Sequence, residues 1–351
     1  MTLLKEHVKI ELFIRTTAPL HIACASSGDH VVDENTGRII GKREGVKASP
    51  ITRTERKPCV VSSEDGSKET IQHFPYIKAN NIAGRLRRFG HDVFSEFFMA
   101  KGVVMPSETY RGLSCGAPTG TPSDTAPKMS EYIAAQDNLY MGLFGGSGKL
   151  FSSGMRLGDA NPVHQSLINN GTLPAALQDM ALDMHPAQLT YPVSLIRRDR
   201  LVDFDDPNID KVLENGAAGA QDWLNQVSEN PDDKKEGKKI SRLKIKNKVA
   251  YECVVSGMPF YSSTLVVAGR HDYHVGLLLE CLSRLAEKNE LGGKSSKGLG
   301  RFNMTVKVDG ETAITSHNGE IDIVGGDQYL DAFQIALEAV DIDGLNAMFA
   351  G

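Results

Sequence analysis

Apolar and polar positions alternate from His7 to Ala23, HVKIELFIRTTAPLHIA, with Val, Ile and Thr prominent. That period of two predicts an N-terminal strand with one buried face. Residues 26–73 lose the pattern, turn polar and rich in Gly and Ser, and read as a long excursion from the core. Periodicity returns in FPYIKANNIAGRLRRFGHDVFSEFFMA, residues 74–100. There Ile82, Leu86, Phe89, Val93 and Phe97 recur at three- and four-residue steps and predict a helix. Asn80 or Asn81 is its expected cap. Arg87 and Arg88 fall off the apolar stripe, and Arg85 flanks it near the helix start. Residues 102–130, full of Gly, Pro, Ser and Thr, read as a second loop-rich excursion.

Further strands are expected in GMRLGDA (Gly154–Ala160) and SGMPFYSSTLVVAG (Ser256–Gly269). Between them, SLIRRDRLVDF and ISRLKIKNKVAYECVV read as two arms of one hairpin. Arg242, Lys244, Lys246 and Lys248 share one face of the second arm, and Leu243, Ile245 and Val249 the other. HVGLLLECLSRLAEKNE predicts an amphipathic helix, RFNMTVKV a strand, and residues 328–340 a last helix. Strands and helices interleave around what should be an α+β sandwich.

Composition adds limits. The 351 residues are 40% hydrophobic and 24% charged, ordinary for a globular chain. No apolar run approaches a membrane span, and MTLLKEHVKIELF lacks the apolar core of a signal peptide. Five cysteines without a CxxC fit neither a zinc site nor a disulfide framework, so a reducing cytoplasm is expected. The net charge of −5 opposes bulk affinity for nucleic acid, yet cations cluster in RTERK (Arg53–Lys57), GRLRR (Gly84–Arg88) and KKEGKKISRLKIKNK (Lys234–Lys248). A fourth cluster lies in LGGKSSKGLGRF, residues 291–302. One such run is a solvated face; four beside Gly- or Asn-rich turns point to a polyanion.

Several enzymatic motifs fail. GGSGKL (Gly145–Leu150) has Leu143 where a P-loop needs its first glycine, and Leu150 where it needs Ser or Thr, so it reads as a turn. His271 and His274 lack a partnering metal-ligand motif, and there is no G-x-S-x-G elbow. No cofactor or metal is expected. The loop at 291–302 holds four glycines, two serines and three cations. Taken alone, it reads equally well as a tight helix-to-strand connection and as bare backbone made for close approach to phosphate.

The order of TTAPLHIA, SPITR, FPYIKANNIAGRLRR, LFG, RLGDA and LGGKSSKGLGRF resembles the RAMP superfamily over nearly the whole chain. It is most similar to backbone subunits of CRISPR effector complexes, the seventh Cas family, in their type IV branch. The resemblance implies a modified RRM-like (ferredoxin-like) palm over 1–25, 74–101, 139–190 and 256–351. It also implies finger-like insertions over 26–73 and 102–138, and a thumb β-hairpin over 191–255. Lys78, Ala79, Asn80, Asn81, Ile82, Ala83, Gly84 and Arg87 fall on the family's pattern before its first helix. Asparagines replace its serines and Ala83 its lysine, and Arg85 is available to replace the missing charge.

RNA contacts are thereby assigned to His21, Arg53, Lys78, Asn80, Asn81, Arg85, Arg87, Arg88, Gly292, Gly293, Lys294, Ser295, Ser296, Lys297 and Arg301. Contacts of the thumb with a duplex are assigned to Arg197, Arg198, Arg242, Lys244 and Lys246. The implied function is non-enzymatic: copies line a CRISPR guide RNA in an antiviral ribonucleoprotein and leave its bases free to pair with target, expected to be DNA. Implied partners are the guide, further copies, a fifth-family-like RAMP subunit, a large subunit and a guide-processing nuclease. RNA-cleaving relatives carry an aspartate just before the SPITR-like stretch; here Ala48 occupies that place. Two alternatives stand beside this reading: a type III-like subunit that cleaves target RNA, and a guide-processing endoribonuclease using His21.

Overall fold

The computed structural model describes residues 7–24, 30–33, 38–41, 48–62, 68–117, 126–200, 208–212, 214–220, 222, 244–267 and 271–349. The chain divides into two units, the first Met1–Ala25, Arg53–Tyr191 and Glu252–Gly351, the second Ser26–Thr52 and Pro192–Tyr251.

The first unit is built on β1 (His7–Thr16). Val8, Ile10, Leu12 and Ile14 are buried on one face, as the alternation predicts. Pro19 lies just past its end, and Leu20 and Ala23 make only isolated bridges, so the predicted strand stops short of its full length. β1 is central in an antiparallel sheet. On one side lie β12 (Phe302–Val308), β13 (Glu311–His317) and β14 (Glu320–Ile323); on the other lies β11 (Pro259–Val267), which pairs with β7 (Met155–Leu157) and β8 (Asn161–Pro162). A separate hairpin pairs β5 (Arg56–Ser62) with β6 (Glu69–Pro75).

Helices cover this sheet. α7 (Asp272–Lys288) buries Val275, Leu278, Leu282 and Leu285 and packs on β12, β13 and β14. α1 (Ala79–Ala100) and α8 (Asp327–Glu338) pack against α7. Ile82, Leu86, Val93 and Phe97 of the α1 stripe are buried, joined by Phe94 and Phe98. The stretch read as loop over 102–130 contains α2 (Ser107–Cys115) and the start of α3 (Met129–Asp137). Pro106 precedes α2, Gly116 in the left-handed region ends it, and Gly112 sits close against the ring of Phe349. Phe349 belongs to α9 (Ile342–Phe349), a helix beyond the last one predicted. Two short helices, α4 (Leu139–Phe144) and α5 (Gln165–Asn169), complete the unit. Gly145–Leu150 is a turn closed by a Gly146–Phe151 bridge, as expected.

The second unit is a five-stranded sheet ordered β3 (Ile39–Gly41), β2 (His30–Asp33), β4 (Ala48–Thr52), β10 (Lys244–Val254), β9 (Thr190–Arg200). β9 and β10 are neighbours, matching the two expected hairpin arms. β4 runs parallel to β10, with Ile51 opposite Ala250, and these two form a small core with Val32. A short helix, α6 (Ile209–Val212), also belongs here. The architecture is α+β, and no described helix is long and apolar enough to cross a membrane.

Candidate nucleic-acid interface

α7 ends with Asn289 in the left-handed region, and the chain doubles back through the glycine loop into β12. Buried Leu291 and Leu299 pin the loop to the core. Backbone bonds then tie it to the segment after β1. Arg301 O accepts from Thr17 N at 2.8 Å and Ala18 N at 3.2 Å, Gly300 N donates to Pro19 O at 2.8 Å, and Gly293 N donates to His21 O at 2.9 Å. A Cβ on Gly300 (φ +81) would lie 1.9 Å from Leu291 O, and one on Gly292 (φ +70) 2.3 Å from His21 O. Bare backbone at these two positions serves approach to the chain's own backbone. At these two positions the geometry fits the helix-to-strand reading.

The loop also carries Lys294, Ser296 and Lys297, all exposed, around a single 3₁₀ turn, Ser295–Lys297. Lys294 sits at φ 66, a conformation that costs a non-glycine residue about 1 kcal/mol, so the turn holds it there against preference. Arg301 is exposed but lies 3.5 Å from the Glu290 carboxylate. Arg85 donates to Gly292 O at 3.3 Å, which joins the loop to the second turn of α1.

The first turn of α1 is capped from a distance. Asp159 Oδ1 accepts from Ala79 N at 2.9 Å, and Lys78, in the cap position, makes no side-chain cap bond. Asn80 and Asn81 therefore lie inside the helix rather than at its cap, a correction to the sequence reading. Both are exposed. A cleft of about 500 Å³ opens beside Asn80, lined also by Gly84, Arg87, Ser153 and Arg156. Arg156, exposed on β7, is a cation that sequence reasoning passed over; its place in RLGDA beside Asp159 was the available signal.

Other predicted contacts are engaged within the protein. Lys78 Nζ pairs with Glu55 at 2.9 Å, and Arg88 Nε folds back onto Gly84 O at 3.0 Å. Arg87 donates to the carbonyls of Phe144 and, at 3.1 Å, Gly145, with its guanidinium over the Phe144 ring. It closes the end of α4. Arg53 Nε donates to Glu252 Oε2 at 2.9 Å, and Arg56 reaches Oε1 at 2.6 Å. Glu252 is buried, as is His21, whose Nδ1 lies 2.8 Å from Glu252 O. Burial raises the Glu252 pKa, but the two arginines outweigh it and bring the carboxyl down to about 2. Burial, with Lys294 nearby, holds the His21 ring below its ordinary value. Glu252 was missed, and Arg56 was read only as one cation of RTERK, because nothing local in AYECVV announces a partner nearly two hundred residues away.

Arg197 and Arg198 lie on β9, and Lys244 and Lys246 on β10; Arg242, with the rest of the basic run before Lys244, lies outside the described residues. Among the described residues no group of three His, Cys, Asp or Glu is placed to hold a metal ion. Exposed cations and amides lie in two places, Asn80, Asn81 and Arg156 around the start of α1 and Lys294, Ser296 and Lys297 in the glycine loop, and Arg85 bonds that loop from α1. Cations and amides of this kind are suited to phosphate oxygens rather than to base edges.

No family model matches the chain, and no curated protein does. Among solved structures it is similar to a chain of a type IV-B CRISPR complex, at 14% identity and a TM-score of 0.45, over 85% of this chain and 90% of that one. It is also similar to a chain of the type III-B Cmr-beta complex bound to cognate target RNA, at 12% identity and a TM-score of 0.36, over 86% of this chain and 61% of that one.

Proposed function

We propose that this chain is a guide-RNA-binding backbone subunit of a CRISPR effector complex, a RAMP protein of the type IV branch built on an RRM-like palm. Copies assemble along one guide, the protein holds the ribose-phosphate backbone, and guide bases pair with target. The observation that supports it most is the Arg85–Gly292 contact. It ties the second turn of α1, which follows the exposed Asn80 and Asn81, to the glycine loop that carries the exposed Lys294 and Lys297. Purification from cells followed by sequencing of bound nucleic acid tests this. Short RNAs sharing repeat-derived ends are expected; absence of RNA, or recovery of bulk cellular RNA alone, sinks it.

A target-cleaving reading is favoured by one observation. Asp33 stands directly opposite Ala48 in the antiparallel β2–β4 ladder, beside the place where RNA-cleaving relatives carry their aspartate. Guide processing by His21 has no such support, because the ring is buried against a backbone carbonyl.

A further inference from the structure

We infer that Glu252, acting through the ring of His21, is a positioning residue for the glycine loop and its two exposed lysines; this rests on the RNA-binding reading above.

The chain passes between its two units at 25/26, 52/53, 191/192 and 251/252. On the first unit's side, three of these four passages meet at one buried carboxylate. Glu252 Oε2 accepts from Arg53 Nε at 2.9 Å and from Thr54 N at 3.2 Å. Its Oε1 accepts from Arg56 at 2.6 Å and from Thr190 Oγ1 at 2.8 Å. The fourth passage is fastened to the same residues: Cys24 N donates to Arg53 O at 2.9 Å, and Ile22 N to Thr54 Oγ1 at 3.3 Å. With both oxygens saturated by fixed donors, Glu252 has one available position.

From that residue the order passes outward. A carbonyl only accepts, so His21 Nδ1 carries the proton in its 2.8 Å bond to Glu252 O. The carbonyl of His21 in turn accepts Gly293 N, and the next residue is Lys294, held in its disfavoured conformation. Leu20 and Val254 exchange backbone bonds alongside, so the ring reinforces an existing bridge and fixes its register. A buried ion cluster is a poor source of net stability compared with apolar packing, but it defines geometry sharply. Geometry is what a loop that holds two lysines against a phosphate backbone requires.

The test uses the full-length protein with Glu252→Gln, His21→Phe and His21→Asn, the last keeping an amide donor where Nδ1 stood. Two readouts are taken. One is amide hydrogen exchange of residues 291–301 against that of β1, and the other is anisotropy of two unrelated 20-nucleotide RNAs. His21→Phe is expected to speed loop exchange by about tenfold with β1 unchanged, and to weaken both RNAs about fivefold, with His21→Asn restoring most of each. In a Lys294→Ala/Lys297→Ala background the same change should cost little more, since it acts through those lysines. Unchanged loop exchange in both His21→Phe and Glu252→Gln overturns the inference, as does a loss that adds in full to the lysine double variant. If loop exchange rises but no variant, the lysine pair included, alters RNA affinity, the positioning of the loop stands and the RNA-binding reading falls.

Discussion

Asp159 Oδ1 accepts the amide of Ala79 at 2.9 Å, so the first donor of a 22-residue helix is satisfied by a carboxylate eighty residues further along the chain. The same carboxylate lies 3.5 Å from Lys57. Asp159→Ala should lower stability by about 1 kcal/mol, the ordinary worth of a cap, read by chemical denaturation. Asp159→Asn keeps an acceptor and removes a negative charge beside Asn80 and Asn81. At low salt it should raise affinity for RNA about twofold, an effect that fades as salt screens it. Weaker binding by Asp159→Asn would show that the start of α1 does not face phosphate.

The loop lysines are separable from Arg301. Lys294 and Lys297 are exposed; Arg301, also exposed, has Glu290 beside it and lies 3.5 Å from Asn289 O. Replacing both lysines by Ala should weaken unrelated single-stranded RNAs alike and reduce the slope of log affinity against log salt by roughly 1.4, about 0.7 for each phosphate. Arg301→Ala alone should change the slope by less than half of that. A larger effect from Arg301 than from the lysine pair reverses the assignment of the surface.

Two glycines of the loop should respond very differently to one methyl group. Gly300→Ala drives Cβ into Leu291 O at a positive φ, and should cost at least about 2 kcal/mol of stability. Gly298 also has a positive φ (+78), but a Cβ there meets nothing within 4 Å, so Gly298→Ala should cost about 1 kcal/mol and leave the fold intact. Thermal unfolding separates the two. Equal tolerance would mean that the loop does not wrap the Pro19–His21 segment.

The parts of this architecture visible in the sequence are those whose cause is local. The period-two run in β1 and the three- and four-residue steps in α1 and α7 each declare a buried face by themselves. α2 and α9 escaped because their anchor is a pair, Gly112 against Phe349, brought together only by the fold. The cap of α1 was assigned to Asn80 or Asn81 because capping is normally local, and Asp159 supplies it from β7's end. In the loop, glycine density was legible, but sequence alone left open whether its close approach was to ligand or to the chain; the distances to His21 O and Leu291 O decide for the chain at two positions.

Acid should dissolve the Glu252 cluster in a defined window. Its carboxyl is held near 2 when folded, against 4.5 in an unperturbed chain. Because the folded value is the lower one, the contribution is fully present above about 4.5 and is lost as pH falls toward 2. A shift of this size corresponds to stability on the order of 3 kcal/mol. Denaturation from pH 6 to pH 3 should show this loss in the parent and a flatter profile in Glu252→Gln. The His21 ring, also held below its ordinary value, should add a decline that begins near 6.5 and persists in that variant. Superimposable profiles of parent and variant would remove the arginine-paired state of Glu252.

Target RNA should survive in the assembled complex. Where the RNA-cleaving members of the superfamily that this chain resembles place an aspartate stands Ala48, and a methyl group neither orients an attacking hydroxyl nor binds a metal ion. Of the four neighbouring acids, Asp29, Glu34 and Glu44 lie outside the described residues, and Asp33 is the one whose register is given, opposite Ala48 across the ladder. Neighbours in an antiparallel pair project to the same face about 5 Å apart, so Asp33 is a displaced carboxylate and not an equivalent one. A shift of that length ordinarily costs more than two orders of magnitude where a proton must be removed in line. Incubation of the complex with complementary RNA and divalent metal should therefore return intact target over hours. Products at regular spacing that vanish with Asp33→Ala would overturn the proposed guide-holding role in favour of a nuclease; products that persist in that variant would point to a contaminating activity.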